Sequence, residues 1–144
     1  HLEIVQFIEG QIQEFEPSRI FTHHPADLND DHQHISKACM AASRFFQRRS
    51  DIPALKSLSF MEINSATDWG FDLGCDSFKP NHYAEVTDEI DLKLEALSAY
   101  RNVMRPFPHP RSVESIKGLA AFRGGQSGQR YSEAFQTVFQ QEFT

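Results

Sequence analysis

Short apolar strands alternating with amphipathic helices predict an α/β layered architecture with a largely parallel sheet. Apolar residues recur at helical spacing in four segments, and three short runs between them have the length and composition of strands. The densest group of chemistry-bearing side chains, His23-His24-Pro25-Ala26-Asp27-Leu28-Asn29-Asp30-Asp31-His32-Gln33-His34, falls after the first strand and before a helix. Open α/β sheets hold their ligands at that place, beyond the carboxyl ends of the strands.

Leu2, Ile4, Val5, Ile8, Ile12 and Phe15 recur at helical spacing while Glu3, Gln6, Glu9, Gln13 and Glu14 fill the other face, so residues 2–15 read as an amphipathic helix. After Pro17-Ser18, Arg19-Ile20-Phe21-Thr22 reads as a short apolar strand, and a helix follows over residues 31–47 with Asp30 and Asp31 at its start, where the helix dipole favours acids. Ile52-Pro53 breaks helix, and residues 55–63 form the next strand. From Asn64 to Lys79 the chain is rich in Ser, Thr, Asp and Gly, with Trp69, Phe71 and Phe78 interspersed, and reads as an irregular loop able to line a pocket. Residues 80–86 alternate as a strand; Thr87 is placed to cap a helix whose apolar face is Ile90, Leu94, Ala96, Leu97 and Tyr100, ending near Asn102. Pro106, Pro108 and Pro110 forbid helix next. A helix restarts at Ser112 and is expected to stop at the paired Gly124-Gly125, and residues 131–139 form a last strand or a helix.

A chain of 144 residues, 40% hydrophobic, suffices for one compact domain with a real core, residues 1–144, and not for two. The net charge is −6, and the 14 basic residues are scattered apart from Arg48-Arg49, which argues against nucleic-acid binding. Cys39 and Cys75 fit neither a zinc-ribbon spacing nor a disulfide framework, so a reducing, cytoplasmic location is expected. No apolar run reaches the length of a membrane span, and the start has neither a signal peptide nor an initiator Met, which reads as a chain beginning inside a longer protein. There are no internal repeats.

Imidazoles and carboxylates at this density suit a metal or a reacting proton. Catalytic zinc takes three protein ligands and an open position, and His23, His24, Asp27, His32 and His34 are the available donors. A solvated polar turn accounts for the same residues, and composition does not choose between the two.

The run Thr22-His23-His24-Pro25-Ala26-Asp27-Leu28-Asn29-Asp30-Asp31-His32, with a helix after it, resembles the second signature of the PIG-L/LmbE-like family of metal-dependent N-acetylglucosaminyl deacetylases. Phe78-Lys79-Pro80-Asn81, a helix with Lys93 and Ala99-Tyr100, then Pro108-His109-Pro110-Arg111-Ser112, Arg123-Gly124 and Glu133-Ala134-Phe135 follow in the family's order, so the resemblance covers nearly all of the chain. It implies a three-layer α/β/α, Rossmann-like sheet, incomplete at its N-terminal side. It also implies a cytoplasmic hydrolase that uses Zn2+ to activate water against an acetamide carbonyl, releasing acetate and an amino sugar. The implied partner is an N-acetylated sugar or its conjugate, with a homo-oligomer compatible with the family.

The resemblance assigns the metal-binding role to His32 and makes Asp31 the adjacent carboxylate that tunes a neighbouring group. Many members carry a further His three residues before the ligand as an oxyanion donor; Asn29 stands there, and its amide donates a hydrogen bond without a transferable proton, so the role passes in part to His24 or His109. The family's other two ligands and its general base belong to a His-Pro-Asp-Asp-Glu motif that has no counterpart before residue 20. The chain is therefore expected to be the carboxyl-terminal part of such an enzyme and, alone, to hold zinc poorly and catalyse little. The rival expectation is a non-catalytic α/β module whose polar loop binds a partner or an anion.

His109 and Arg111, in a proline-stiffened loop, are candidates for contacts to sugar hydroxyls, or for an acid contributed to a neighbouring subunit, with a plain surface turn as the alternative. His34 lies two residues beyond His32 and faces elsewhere on the helix, and His82 reads as packing or surface. Trp69 and Phe71 suit stacking on a sugar face, although aromatics in a long loop more often form a small core of their own. Gly124-Gly125-Gln126-Ser127-Gly128 lacks the Lys-Ser/Thr pair of a phosphate cradle.

Overall fold

A computed structural model describes residues 2–71 and 77–143 of the chain. The protein is an α/β chain with four helices and four strands among those residues, the strands forming one sheet in the order β1-β2-β4-β3. By chain contacts it divides into two compact units, His1–Lys79 with Phe135–Thr144, and Pro80–Ala134.

In the first unit α1 (Leu2–Phe15) packs on α2 (Asp30–Ala42), and α2 packs on β1 (Arg19–His23). Val5, Ile12, Ala38, Ala42 and Ile52 form the buried cluster, with Ile4, Ile8, Ile20, Phe45 and Phe46 around it. The face of α2 turned inward carries small side chains, Ser36, Ala38, Cys39 and Ala42, all buried. Small residues let a helix axis approach its neighbours closely, which is why so short a helix is covered on both sides.

The helix expected to run to residue 47 stops at Ala42. The Ser43 hydroxyl donates to the Met40 carbonyl at 2.8 Å and competes with the next helical turn. A single 3-10 turn, Phe45–Gln47, follows, with the guanidinium groups of Arg48 and Arg49 over the Phe45 ring. Arg48 pairs with Glu9 on α1 and Arg49 with Asp51, so both members of the basic pair are engaged.

β2 (Ser57–Met61) runs parallel to β1, Arg19 opposite Ser57 and His23 opposite Met61. β4 (Ser132–Gln140) settles the open reading of residues 131–139 in favour of a strand and pairs with β2 antiparallel. The sheet is thus mixed where a largely parallel one was expected. Its irregularity at Leu58/Ser59 is bridged by a 2.8 Å hydroxyl contact between Ser59 and Thr137.

In the second unit, β3 (His82–Glu85), α3 (Ile90–Ser98) and α4 (Val113–Ser127) bury Ile90, Leu94, Ile116, Ala120 and Ala134. Thr87 does not cap α3: its hydroxyl donates to Glu85 and accepts from the Tyr131 amide, while Glu89 holds the cap position. Ser112 caps α4, accepting from the Ser115 amide at 3.1 Å. The expected stop at Gly124-Gly125 is overturned, since both lie inside α4 and the helix ends at Gly128, in the left-handed region at φ 76°.

The two paired glycines have different reasons to be there. A β-carbon on Gly124 would lie 2.6 Å from the Gln129 carbonyl oxygen and 2.7 Å from that of Arg130, whereas one on Gly125 meets nothing within 4 Å. Gly124→Ala is therefore expected to cost about 1–3 kcal/mol through overpacking against backbone. Gly125→Ala should stabilise by up to about 1 kcal/mol through helix propensity. Urea denaturation of the two variants checks the contrast, and equal effects would refute it.

No helix among the described residues is long and apolar enough to cross a membrane. Cys39 is a free, buried thiol, and Cys75 lies outside the described residues.

Candidate functional site

β1 delivers His23 and His24 to its carboxyl end, and Pro25 turns the chain away from the sheet. The turn is tight. The Asp27 amide donates to the His24 carbonyl at 3.1 Å and the Ala26 amide donates to His24 Nδ1 at 3.2 Å. α2 begins three residues later with Asp30 and Asp31 in its first turn, so the positive end of the helix dipole faces the turn.

His32 sits in this first turn and reaches back to Asp27. Its Nδ1 is 3.0 Å from Asp27 Oδ2, with the imidazole 17% exposed and the carboxylate 0% exposed. A carboxylate only accepts, so Nδ1 carries the proton and the lone pair is on Nε2. The Asn29 amide stands 3.4 Å from that Nε2, donating weakly toward it. Gln33 Nε2 donates to the Asp27 carbonyl at 2.8 Å and holds the turn to the helix.

Asp31 does not touch the imidazole: its Oδ1 accepts from the His32 backbone amide at 3.0 Å. The carboxylate that orients His32 is Asp27. Among the described residues, Asp27 Oδ1 is buried with no hydrogen-bond partner, as is His23 Nδ1. A buried acceptor left in that state costs on the order of 1–3 kcal/mol, more when charged, and such orphans mark a place able to receive a further donor or a cation.

The imidazole of His23 stacks on that of His32, with centroids 3.9 Å apart and planes inclined by 29°. Burial lowers the His23 pKa below the ordinary 6.5, the neighbouring His32 lowers it further, and Asp27 and Asp31 oppose the shift. Two stacked imidazoles repel when both are charged, and this is how His32 helps to lower the His23 pKa. His24 is buried in a different environment, its ring edge-on to Phe60 at 5.4 Å and to Phe78 at 5.7 Å. Because His24 Nδ1 accepts a backbone N–H, its proton is on Nε2.

His34 is exposed, its Nδ1 2.8 Å from the Asp30 carbonyl oxygen on the helix's own surface. His109 and Arg111 belong to the second unit, where the Arg111 amide donates to His109 Nδ1 at 3.0 Å and the Ser112 amide to the His109 carbonyl at 2.9 Å. They build the turn that leads into α4, and Arg111 Nε is buried without a partner among the described residues. His82 lies on β3.

His23 stacked on His32, and Asp27 rather than Asp31 on the imidazole, are the features that sequence reasoning missed. The five-residue separation from Asp27 to His32 crosses a turn and a helix start, so no helical or strand period reveals it. Among the described residues no three His, Cys, Asp or Glu side chains converge as a metal-binding group.

No family model matches the chain, and no curated protein matches its sequence. Solved structures do share the fold. The 4-carboxy-2-hydroxymuconate hydratase GalB from Pseudomonas putida KT2440 superposes with a TM-score of 0.77 at 15% identity over 100% of this chain and 61% of that one. The conserved protein TT1542 from Thermus thermophilus gives 0.74 at 21% identity over 99% and 61%. The N,N'-diacetylchitobiose deacetylase from Pyrococcus horikoshii, crystallised with its inhibitor MPG, gives 0.68 at 19% identity over 94% and 51%. The chain thus spans about three fifths of the first two and half of the third. At these identities the likeness establishes the α/β fold alone, and that fold carries both a hydratase and a deacetylase.

The His23 stack makes a prediction about pH. Because its folded pKa lies below the free value of 6.5, protonation is harder in the native state, and the His23 contribution is fully present above 6.5 and lost as the pH falls toward the lowered value. Imidazole NMR titration should give His23 a midpoint below 6.5. A His23 midpoint at or above 6.5 would refute the stacked arrangement.

Proposed function

We propose that this chain is the carboxyl-terminal part of a zinc-dependent hydrolase that removes an N-acetyl group from an amino sugar or its conjugate. The observation that carries the reading is the buried Asp27–His32 pair at the end of β1. It leaves His32 Nε2 as a basic lone pair at the start of α2, the carboxylate–imidazole arrangement that metal-binding histidines use. The fold shared with a diacetylchitobiose deacetylase supports it, as does the run from Thr22 to His32.

His32 fits zinc as one ligand, and Asp27 Oδ1 and His23 Nδ1, buried without a partner among the described residues, fit a place able to receive a cation. When bound, zinc supplies Lewis-acid polarisation of the amide carbonyl and of water. Asp27 fixes the tautomer and direction of His32. Asp31 ties down the first turn of α2 through the His32 amide. Asn29 and His24 are assigned to the developing oxyanion, the amide giving a hydrogen bond only. Such a protein acts away from nucleic acid, and the cytoplasm is its proposed location.

A non-catalytic module binding a partner or an anion through the same loop is the rival, favoured by the lack of three converging ligands among the described residues. Zinc stoichiometry of the longer protein, purified without chelator, separates them. The expected result is one zinc per chain, lost in His32→Ala and bound about 10–100-fold more weakly in Asp27→Ala. A protein without stoichiometric zinc, or a His32→Ala variant with unchanged metal content, would sink the enzyme reading.

A further inference from the structure

The loop between β2 and β3 is fastened to the His32 turn. The Leu28 amide donates to the Ala66 carbonyl at 3.1 Å, and Ala66 is buried. The loop is internally braced, with the Ile63 amide donating to the Thr67 hydroxyl at 2.9 Å and the Gly70 amide to the Thr67 carbonyl at 3.1 Å. Gly70 lies so close that a β-carbon there would overlap the Ala26 carbonyl oxygen, and its nearest neighbours include the Asp27 α-carbon at 3.9 Å. Glycine is what permits the contact, and Asp27 is the residue that holds His32.

The residues on either side of Gly70 are Trp69 and Phe71. They do not form a small core of the loop: Trp69 is 51% exposed and Phe71 61% exposed, with ring centroids 5.4 Å apart and planes inclined by 57°. Leu28, beside Asp27, is also exposed. Phe71 adopts φ 44° and ψ 153°, a conformation that L side chains rarely take and glycine takes freely. The Phe71 ring is thus held largely in solvent on a backbone that suits glycine better.

We propose that Trp69 and Phe71 form a stacking platform at the rim of the His32 site for the apolar face of a pyranose ring. The inference rests on the sugar-hydrolase reading above and adds the element that would select the ring. The faces of a hexopyranose carry axial C–H bonds that pack on aromatic rings, and two inclined rings one residue either side of a fixed glycine offer such packing with little ordering cost. The acetamide would be left to the Asn29 and His32 side of the turn.

Trp69 is the only tryptophan in the chain, so its fluorescence reports the platform directly. The 144-residue chain is titrated with N-acetylglucosamine and with N,N'-diacetylchitobiose, with sorbitol as an open-chain polyol control. The expected result is a saturable change in Trp69 emission with both sugars and none with sorbitol. Phe71→Gly removes one ring and relieves the backbone, so its melting temperature should equal or exceed that of the parent while saccharide affinity falls about tenfold. No saturable response, an equal response to sorbitol, or undiminished affinity in Phe71→Gly would overturn the platform. So would an emission shift that follows protein concentration and ignores sugar, which would make a second copy the occupant. These outcomes are separable from failure of the hydrolase reading, because zinc content of the longer protein tests His32 independently of Trp69.

Discussion

The hydrogen bond between Asp27 and His32 is the constraint on which the local structure depends. A fully buried carboxylate is expensive unless it is paired. It is paired through one oxygen only, and the whole connection from β1 to α2 is arranged to keep it there. The turn is closed by two amides on His24, Gln33 holds the Asp27 carbonyl, and Gly70 seals the outer side against Ala26. Removing any of these leaves the carboxylate buried with a looser partner, so the turn is cooperative in the way that polar networks in low dielectric are.

The packing behind the turn explains how a polar site is carried on a small scaffold. Ser36, Ala38, Cys39 and Ala42 keep the buried face of α2 thin, and Thr22 of β1 is buried on the same unit. Burial raises the Cys39 pKa, with the Thr22 side chain opposing it, so at neutral pH the thiol is protonated and behaves as a small apolar group. The chemistry is therefore left to the imidazoles and carboxylates at the end of the strand. Val5 and Ile12 of α1 belong to the same buried cluster as Ala38 and Ala42 of α2.

Periodicity made most of the elements legible. The helix α1 and the strand β3 stand where they were read, although α1 is buried only at Val5 and Ile12, with Leu2 and Phe15 exposed, and β3 shows no alternation of burial. The errors fall where a side chain acts on the backbone. Ser43 ends α2 early through its own hydroxyl, Thr87 spends its hydroxyl on Glu85, and Gly124 is present for close approach rather than termination. Sheet direction was misjudged because a strand's orientation is set by its partner, and residues 131–139 carry no mark of β2. At the site, the cluster from His23 to His34 was visible as composition, yet which carboxylate meets which imidazole depended on a turn geometry that no spacing encodes.

The histidines themselves show what that geometry adds. An imidazole has one donor and one acceptor nitrogen when neutral, and its neighbours decide which faces outward. His24 and His109 each accept a backbone amide on Nδ1, so each carries its proton on Nε2 and is fitted to donate. His32 has a carboxylate on Nδ1 and so presents a lone pair from Nε2. His23, stacked on His32 and held below its ordinary pKa, is kept from competing as a cation. Four histidines of one sequence are thus sorted by local hydrogen bonding into one electron-pair donor, two proton donors and one neutral spacer. That sorting leaves His32 with an Nε2 lone pair, whereas His24 and His109 would first have to surrender an Nε2 proton before coordinating a borderline cation.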